Sequence, residues 1–243
     1  YHIFKAAGYD VGLAGNIGRS LALQIAEDPH EYYIIELSSF QLDNMYDFRA
    51  DIAILLNITP DHLDRYDNCM QNYVDAKMRI IQNQTPADSF IYWNDDPVIK
   101  RELAKYDIRA VQYPFSELKE SGSIGYIEEG QYTIEEPTPF NMEQEELSLT
   151  GKHNIYNSLA AGIASDIAGI KKDSALIEEM NGIANLMIKG HMGASIKSDP
   201  NNPALVQLKD LLNRFFSSIS SNLKGIAAIL SSYNKNDYTP RIE

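Results

Sequence analysis

The sequence predicts an α/β fold, with a mainly parallel sheet and flanking helices, followed by an all-helical C-terminal segment. Strand-like runs alternate with helical stretches over the first three-quarters of the chain, and the runs at residues 32–37 and 52–58 are almost wholly apolar. Such continuous runs are typical of strands buried on both faces of a parallel sheet. Strand-like runs stop towards the C-terminus. We therefore expect two domains, at residues 1–173 and 174–243.

The remaining elements follow from local signals. Further strands are predicted at residues 9–13, 89–93, 110–114 and 146–149, with a hairpin of residues 125–128 and 131–135 about Gly130. Helices are predicted at residues 20–27, 97–106 and 154–168. Thr59 and Pro60 are a capping residue and a proline suited to a first helical position, so a helix is expected from there, or shortly after, to about residue 82.

The C-terminal segment has large apolar residues at spacings of three and four, which predicts one long amphipathic helix over residues 202–233, or two helices broken at Gly225. We expect its apolar face to be buried, either on the chain's own domain or by self-association, because an exposed stripe of this size favours aggregation. The face consists of Leu205, Leu212, Ile219, Leu223 and Leu230.

Composition excludes several classes of function. The chain has 243 residues and a formal net charge of −13, which disfavours a dedicated binder of nucleic acid or anionic membrane. Its one cysteine, Cys69, allows neither an internal disulfide nor a cysteine metal cluster. No apolar run approaches the ~20 residues of a membrane span, and the first residues do not read as a signal peptide. We expect a cytoplasmic protein.

Three residues with useful chemistry follow predicted strands. Glu36 lies at the carboxyl end of one strand, His62 lies just beyond another, and Lys77 lies in the following helix. Ligands of α/β sheets bind at the carboxyl edge, so we expect Glu36 and His62 to share that edge and, with Lys77, to meet a metal or a phosphate. The alternatives are a helix-capping carboxylate, a surface histidine and a solvated lysine. A metal-dependent hydrolase using Glu36 and His62 is a further alternative.

Five strings that contain or flank these residues occur in a fixed order. They are residues 15–18 (GNIG), 36–43 (ELSSFQLD), 57–66 (NITPDHLDRY), 73–80 (YVDAKMRI) and 149–161 (LTGKHNIYNSLAA). Together they resemble the signature motifs of the central, ATP-binding domain of the Mur ligases, over about residues 1–173. The residues after Glu36 resemble the branch that adds D-glutamate to UDP-N-acetylmuramoyl-L-alanine during peptidoglycan precursor synthesis.

The resemblance implies an ATP- and Mg²⁺-dependent peptide-bond-forming reaction that passes through an acyl phosphate. It implies that Glu36, His62 and a carbamylated Lys77 hold metal, with His62 and Lys77 acting in catalysis. By the same resemblance, Asn16 and Ser38 face the muramoyl substrate, and Asn154 and Asn157 face the nucleotide. Partners other than these small molecules are not implied.

The departures from the family pattern lower the activity that we expect. The family's phosphate loop is expected shortly before Tyr1, and the sequence contains no Gly-x-x-Gly-Lys-Ser/Thr run; the family's later His-Arg and Asp-Ser-Lys motifs are also absent after residue 173. We expect this chain alone to bind ATP weakly and to form no peptide bond. We also expect little carbamylation of Lys77, since a lysine near its ordinary pKa of about 10.4 is protonated at neutral pH. The alternative is a non-catalytic remnant or a chimeric scaffold that self-associates through the tail.

Overall fold

The structure, a computed structural model, divides into two compact units, Tyr1–Ile167 and Ala168–Glu243. It describes residues 1–120, 122–143, 152–170, 179–180, 182–183, 186, 195–200 and 203–234, with the backbone alone at 152–153, 203–204 and 234. The predicted strand at residues 146–149 and the predicted domain boundary at residues 173 and 174 lie outside this set.

The first unit alternates short strands and helices. Its helices are α1 (His2–Ala6), α2 (Leu21–Glu27), α3 (Ser39–Leu42), α4 (Met70–Met78), α5 (Pro97–Leu103) and α6 (Lys152–Ile167). Its strands are β1 (Val11–Gly15), β2 (Tyr32–Glu36), β3 (Ile52–Leu55), β4 (Ser89–Trp93), β5 (Val111–Leu118), β6 (Gly125–Glu128), β7 (Gln131–Ile134) and β8 (Phe140–Glu143). Single turns of 3₁₀ helix span Leu63–Tyr66 and Arg79–Ile81.

The strands form two sheets rather than one. β1 and β2 pair in parallel, and β3 to β8 form a six-stranded sheet in chain order. That sheet is parallel from β3 to β6 and antiparallel from β6 to β8. The predicted α/β class with a mainly parallel sheet is confirmed. β8 is an addition that the sequence pattern does not predict, because three of its four residues are exposed and leave no apolar run.

β4 shows why the central strands are continuously apolar. Phe90 and Tyr92 lie in one buried cluster with residues of α4 and α5, whereas Ile91 lies in a second cluster with residues of α6. Side chains alternate between the two faces of a strand, so helices on both faces require apolar residues at every position. Phe90 and Ile91 have no exposed surface. Full burial of such a side chain contributes roughly 1.5–3 kcal/mol.

The helix expected from residues 59 and 60, or shortly after, to about residue 82 is wrong at its start, although α4 and the following 3₁₀ turn do reach Ile81. Residues 59–62 are not helical, and the chain makes only the 3₁₀ turn Leu63–Tyr66 before α4 begins at Met70. Between the two, Asp67 and Asn68 have φ values of 55° and 56°. This left-handed conformation ends a right-handed helix, and aspartate and asparagine are among the residues that tolerate it best.

The hairpin about Gly130 is confirmed, with β6 and β7 as its strands. Glu129 and Gly130 have φ values of 51° and 82°. Positive φ at both central residues of a two-residue loop is the requirement of a type I′ turn, whose twist matches that of the paired strands.

The second unit contains α7 (Pro203–Asn234), which runs unbroken through Gly225. Its first half carries Leu205, Leu212 and Phe216, which pack around two buried isoleucines, Ile183 and Ile196. The expected burial of the apolar face is therefore met only in part in this half, where Leu205 and Leu212 are half-buried. Among the described residues, none of the helices combines the length and apolar character needed to cross a bilayer.

The second half of α7 differs from that expectation. Leu223, Ile226 and Leu230 are 41%, 37% and 59% exposed. The described residues of the second unit therefore do not cover these three side chains. Burial by self-association stays a prediction.

Candidate functional site

A cleft of about 190 Å³ lies where β1, β2 and β3 end. The expectation that Glu36 and His62 share the edge of one sheet is wrong in its topology, since β2 and β3 belong to different sheets. The loops after these strands nevertheless line the same cleft. Its lining residues are Asn16, Leu37, Ser38, Ser39, Phe40, Asp61, His62, Tyr73 and Lys77.

The ends of β1 and β2 meet closely beside this cleft. Gly15 has a φ of 104°, and a Cβ atom at this position would lie 2.2 Å from the carbonyl oxygen of Glu36. Only glycine fits such an approach. The backbone N–H of Asn16 donates to the same oxygen at 2.8 Å, and its side-chain Nδ2 donates to Glu36 Oε1 at 3.2 Å. Asn16 therefore orients the Glu36 carboxylate, which is itself exposed and does not line the cleft.

Ser38, and not Glu36, starts the helix after β2. The backbone N–H and the hydroxyl of Ser38 both lie 2.9 Å from Gln41 Oε1, which accepts from them across the first turn of α3. The helix-capping alternative for Glu36 is therefore wrong, and its carboxylate keeps oxygen lone pairs for a ligand.

His62 also lines the cleft and lies directly before the turn Leu63–Tyr66. Its φ is 49°, in the left-handed region. Its ring is edge-on to Phe40, with 6.3 Å between ring centroids, and its Nε2 lies 3.5 Å from Asp61 Oδ2. The side chain is 59% exposed, so the imidazole is open to a ligand in the cleft.

Lys77 closes the cleft from α4, and the solvated-lysine alternative is wrong. Its Nζ donates to the carbonyl oxygen of Asn57 at 3.3 Å and lies 5.2 Å from the centroid of the Tyr73 ring. Burial lowers the pKa of Lys77 below its usual value of 10.5, while the carboxylates of Asp61 and Asp96 oppose the shift. The premise of an ordinary lysine pKa is therefore wrong, and a larger fraction of the amine is neutral. Whether Lys77 is carbamylated stays a prediction.

The donors near the cleft could bind Mg²⁺ only together with further ligands from substrate and water. Glu36 and Asp61 supply carboxylates and His62 an imidazole, but the described part of the chain has no group of three or more histidine, cysteine or acidic side chains placed to hold a metal. Mg²⁺ is commonly bound through one or two carboxylates, waters and substrate phosphates rather than a protein cage. The carboxylates of Glu36 and Asp61 fit that mode, whereas metal binding by Glu36 and His62 stays a prediction.

The two asparagines expected at the nucleotide lie elsewhere. Asn154 is half-buried and Asn157 is exposed, three residues apart on α6, and neither lines the cleft. Between them, Tyr156 stacks on Trp93 with 4.4 Å between ring centroids. Nucleotide contact by Asn154 and Asn157 stays a prediction.

Sequence reasoning gave no role to five residues that line the cleft, which are Leu37, Ser39, Phe40, Asp61 and Tyr73. Tyr73 is four residues before Lys77, and this helical spacing places the two side chains on the same face of α4. That spacing is a signal that could have identified Tyr73. Asp61 is the sequence neighbour of His62, whereas Phe40 carries no signal beyond its motif.

A larger cavity, of about 520 Å³, lies on the antiparallel part of the six-stranded sheet. It has no histidine or lysine in its lining, which offers little for phosphate or acyl chemistry. The lining residues are Tyr126, Glu128, Glu129, Gln131, Thr133 and Asn141.

Comparison with known proteins identifies the family of the first unit. The model of the Mur ligase middle domain family matches residues 1–165. The chain belongs to the Mur ligase family. A UDP-N-acetylmuramoylalanine–D-glutamate ligase of Bacteroides fragilis is 71% identical over 173 residues, which are 71% of this chain and 39% of that protein. The enzyme of the same name from Porphyromonas gingivalis is 53% identical over 177 residues, 72% of this chain and 39% of that protein.

Solved Mur ligases share the fold. The MurF ligase of Thermotoga maritima, solved in complex with ADP, superposes with a TM-score of 0.50 at 19% identity, over 69% of this chain and 41% of that one. The present chain spans about two-fifths of the length of the curated Mur ligases that it matches.

Proposed function

We propose that the first unit is the central domain of a ligase that joins D-glutamate to UDP-N-acetylmuramoyl-L-alanine with ATP. One observation carries the proposal: four separate sequence motifs bring Asn16, Ser38, His62 and Lys77 to one cleft. The names of the Bacteroides and Porphyromonas relatives supply the substrates.

The reaction has two steps, and the cleft must stabilise the negative charge of the reactants. A carboxylate oxygen of the muramoyl substrate attacks the γ-phosphorus of ATP, the bond to the bridging oxygen breaks, and ADP leaves. The D-glutamate amine then attacks the acyl carbon, loses a proton, and inorganic phosphate leaves as the amide forms. Both reactants of the first step are anions, so catalysis depends on positioning and on positive charge.

The chain's own residues have distinct parts in this scheme. Asn16 and Ser38 bind and orient the muramoyl substrate. Glu36 and His62 hold Mg²⁺, which supplies charge neutralisation when bound. Lys77, when carbamylated, offers two further anionic oxygens; when it is free, its amine donates hydrogen bonds into the cleft.

ATP is the nucleotide in this proposal, and Asn154 and Asn157 contact it from the first turns of α6. The MurF structure with ADP supports nucleotide use by a protein of the same fold. A cytoplasmic location remains a prediction.

A hybrid enzyme tests the proposal. The segment of this chain that matches the Bacteroides fragilis ligase replaces its counterpart there, and phosphate release is measured with muramoyl substrate, D-glutamate, ATP and Mg²⁺. We expect turnover that needs both substrates, and a loss of about 100-fold or more in the His62→Ala hybrid. Lys100→Ala, at an exposed lysine on α5, is the matched neutral control. A folded hybrid without turnover would contradict the proposal.

The 243-residue chain assayed alone is expected to show no turnover, because its sequence holds no Gly-x-x-Gly-Lys-Ser/Thr loop to bind the β- and γ-phosphates. Turnover on the order of 1 per second, ordinary for an enzyme, would show that this loop is dispensable here.

A non-catalytic scaffold is the second candidate, and the exposed Leu223, Ile226 and Leu230 of α7 favour it. In this alternative the tail self-associates and buries that face. Sedimentation of the wild-type chain and of a Leu223→Glu, Leu230→Glu variant separates the outcomes. A dimer that the substitutions dissociate supports the scaffold, whereas a monomer at every concentration contradicts it.

A further inference from the structure

The peptide group between Asn57 and Ile58 is held from both of its sides. Its carbonyl oxygen accepts from Lys77 Nζ at 3.3 Å, and its N–H donates to Asp96 Oδ2 at 3.1 Å. Ile58 is only 2% exposed, so water does not compete for its N–H. Because a peptide group is planar, whatever fixes the direction of the N–H also fixes the direction of the carbonyl.

Asp96 is well suited to fix that plane. It is 4% exposed, and its other oxygen, Oδ1, accepts from the backbone N–H groups of Val98 and Ile99 at 2.9 Å each. These are the bonds of an N-cap, and Pro97 starts α5 directly after it. A buried carboxylate that accepts three N–H bonds is held firmly, because leaving any of them unmade is costly.

Lys77 has the opposite character. Its ammonium group sits at the end of a flexible four-carbon chain, so its place in the cleft depends on what it bonds to. Here that partner is the carbonyl which Asp96 orients from the other side.

We propose that Asp96 is a positioning residue for Lys77, acting through the shared Asn57–Ile58 peptide group. Asp96 does not line the cleft and contacts no reacting atom in this scheme. The consequence of this positioning for catalysis rests on the proposed function, in which Lys77 belongs to the ligase site. The positioning of Lys77 by Asp96 does not depend on that function.

The competing explanation is that Asp96 only caps α5. Asp96→Asn separates the two, since asparagine is an equally good N-cap. Its single side-chain oxygen keeps the two bonds to α5, which turns the NH₂ group towards the N–H of Ile58 and removes that bond. Asp96→Ser is a second variant: serine also caps, but its shorter side chain does not reach Ile58.

Asp88→Asn is the matched control. Asp88 is 2% exposed, and its Oδ2 accepts from the backbone N–H of Thr85 at 2.6 Å and from the Thr85 hydroxyl at 2.8 Å. It thus resembles Asp96 in residue type, burial and local bonding. It precedes β4, however, whereas Asp96 follows it, so its loss does not touch the Asn57–Ile58 peptide group.

The test uses the full chain and needs no ligase activity. Amide hydrogen exchange is measured by NMR at Ile58 and Ile99, and the acetylation rate of Lys77 is measured by mass spectrometry against that of Lys100. In Asp96→Asn and Asp96→Ser we expect exchange at Ile58 to rise about tenfold with Ile99 within about twofold. We expect acetylation of Lys77 to rise about threefold or more, in part because the charge of Asp96 is lost, so exchange at Ile58 is the deciding measurement; neither quantity should change in Asp88→Asn.

Unchanged exchange at Ile58, unchanged acetylation of Lys77, or an equal rise of both in Asp88→Asn would overturn the proposal. Lys77→Met gives an independent arm on a variant that retains the α5 cap. Asp96 should still hold the peptide group there, so exchange at Ile58 should stay within about twofold of wild type. Loss of protection in that variant would mean that Lys77 holds the peptide, and would also overturn the proposal. A failure of the ligase function itself would show only in the hybrid assay.

Discussion

The two ends of β3 and β4 are built very differently. At the amino-terminal end, side chains of residues 79–84 donate to backbone carbonyls of the loop at residues 42–51. The bonds run from Arg79 to Leu42 and Met45, from Gln82 to Met45, from Asn83 to Tyr46 and Phe48, and from Gln84 to Ala50. At the carboxyl end, around the cleft, the loop after β3 has one side-chain bond to its Ile58 N–H and one to its Asn57 carbonyl.

The difference separates two tasks. At the amino-terminal end the side-chain donors are bonded to backbone carbonyls, which stabilises the fold. At the carboxyl end His62 and Glu36 keep most of their polar atoms open, which stabilises nothing until a ligand arrives. Such a region has low local stability by necessity. Substitutions at the two ends should therefore have opposite effects on activity and stability.

The largest effect is expected at Lys77. Lys77→Ala in the hybrid enzyme should lower turnover by about 100-fold or more, because the cleft loses a group that holds charged substrate. The free energy of unfolding should change by less than about 1 kcal/mol, since one hydrogen bond is lost. Phosphate release and urea unfolding measure the two quantities, with Lys100→Ala as control. A large loss of stability with normal turnover would reverse the comparison.

Tyr156 tests the comparison of the two strand ends at high pH. Its side chain is buried and its hydroxyl is hydrogen-bonded, unlike the open polar groups of the cleft. Burial, with a hydrogen bond to Glu117, raises the pKa of Tyr156 from 10.0 to about 12. The folded state therefore keeps a proton that the unfolded state loses. Stability from this source is complete below pH 10 and is lost as the pH rises from 10 to 12, by about 2–3 kcal/mol in all.

Tyr156→Phe removes this titration. Its unfolding midpoint in urea should fall less steeply than that of wild type above about pH 10. Tyr92→Phe, at a buried tyrosine of β4 whose pKa burial also raises, is the comparison variant. Parallel curves for wild type and Tyr156→Phe would contradict the assignment.

Asp88 tests the amino-terminal end. Asp88→Asn should lower the free energy of unfolding by about 1–2 kcal/mol, because a buried carboxylate that accepts from Thr85 and lies near Arg49 is lost. Turnover of the hybrid, measured well below its melting temperature, should stay within about threefold of wild type. Asp51→Asn, at an exposed neighbour that also pairs with Arg49, is the control. An activity loss without a stability loss would contradict the division of tasks.

The smallest effect concerns the pH dependence of Lys77. Burial lowers its pKa in the folded state below the ordinary 10.5, so the unfolded state binds more protons between the two values. Stability therefore rises with pH across that window, as the penalty for a buried ammonium disappears. Urea unfolding of wild type and Lys77→Met in CO₂-free buffer should show wild type gaining on the variant as the pH approaches 10.5. A stability of wild type that falls relative to Lys77→Met as the pH approaches 10.5 would contradict the lowered pKa.

Sequence patterns predicted some elements to the residue and failed at others for identifiable reasons. β4 matches its prediction because burial on both faces leaves a continuous apolar run. The helix expected from residues 59 and 60 is interrupted by left-handed residues, His62 before the 3₁₀ turn and Asp67 and Asn68 after it. Polar residues at such positions look the same in sequence whether they turn the chain or sit on a helix.

The same limit applies to the site. Motif order indicated which residues gather at the cleft, but the lowered pKa of Lys77 depends on burial that no local pattern encodes. Asp96 shows the limit most clearly. Its place before Pro97 indicates a helix cap, whereas its bond to Ile58 joins residues 38 positions apart and is visible only in the fold.

His62 occupies a backbone conformation that glycine would adopt with less strain. A left-handed residue with a side chain costs roughly 1–2 kcal/mol, and histidine adopts this conformation more often than most residues but without the freedom of glycine. Random drift under selection for stability alone would replace the imidazole with glycine or asparagine at this point. A lineage that keeps histidine there has a less stable loop but retains the imidazole in the cleft. His62 is therefore a position at which natural variants can show whether the cleft is still under selection for its chemistry.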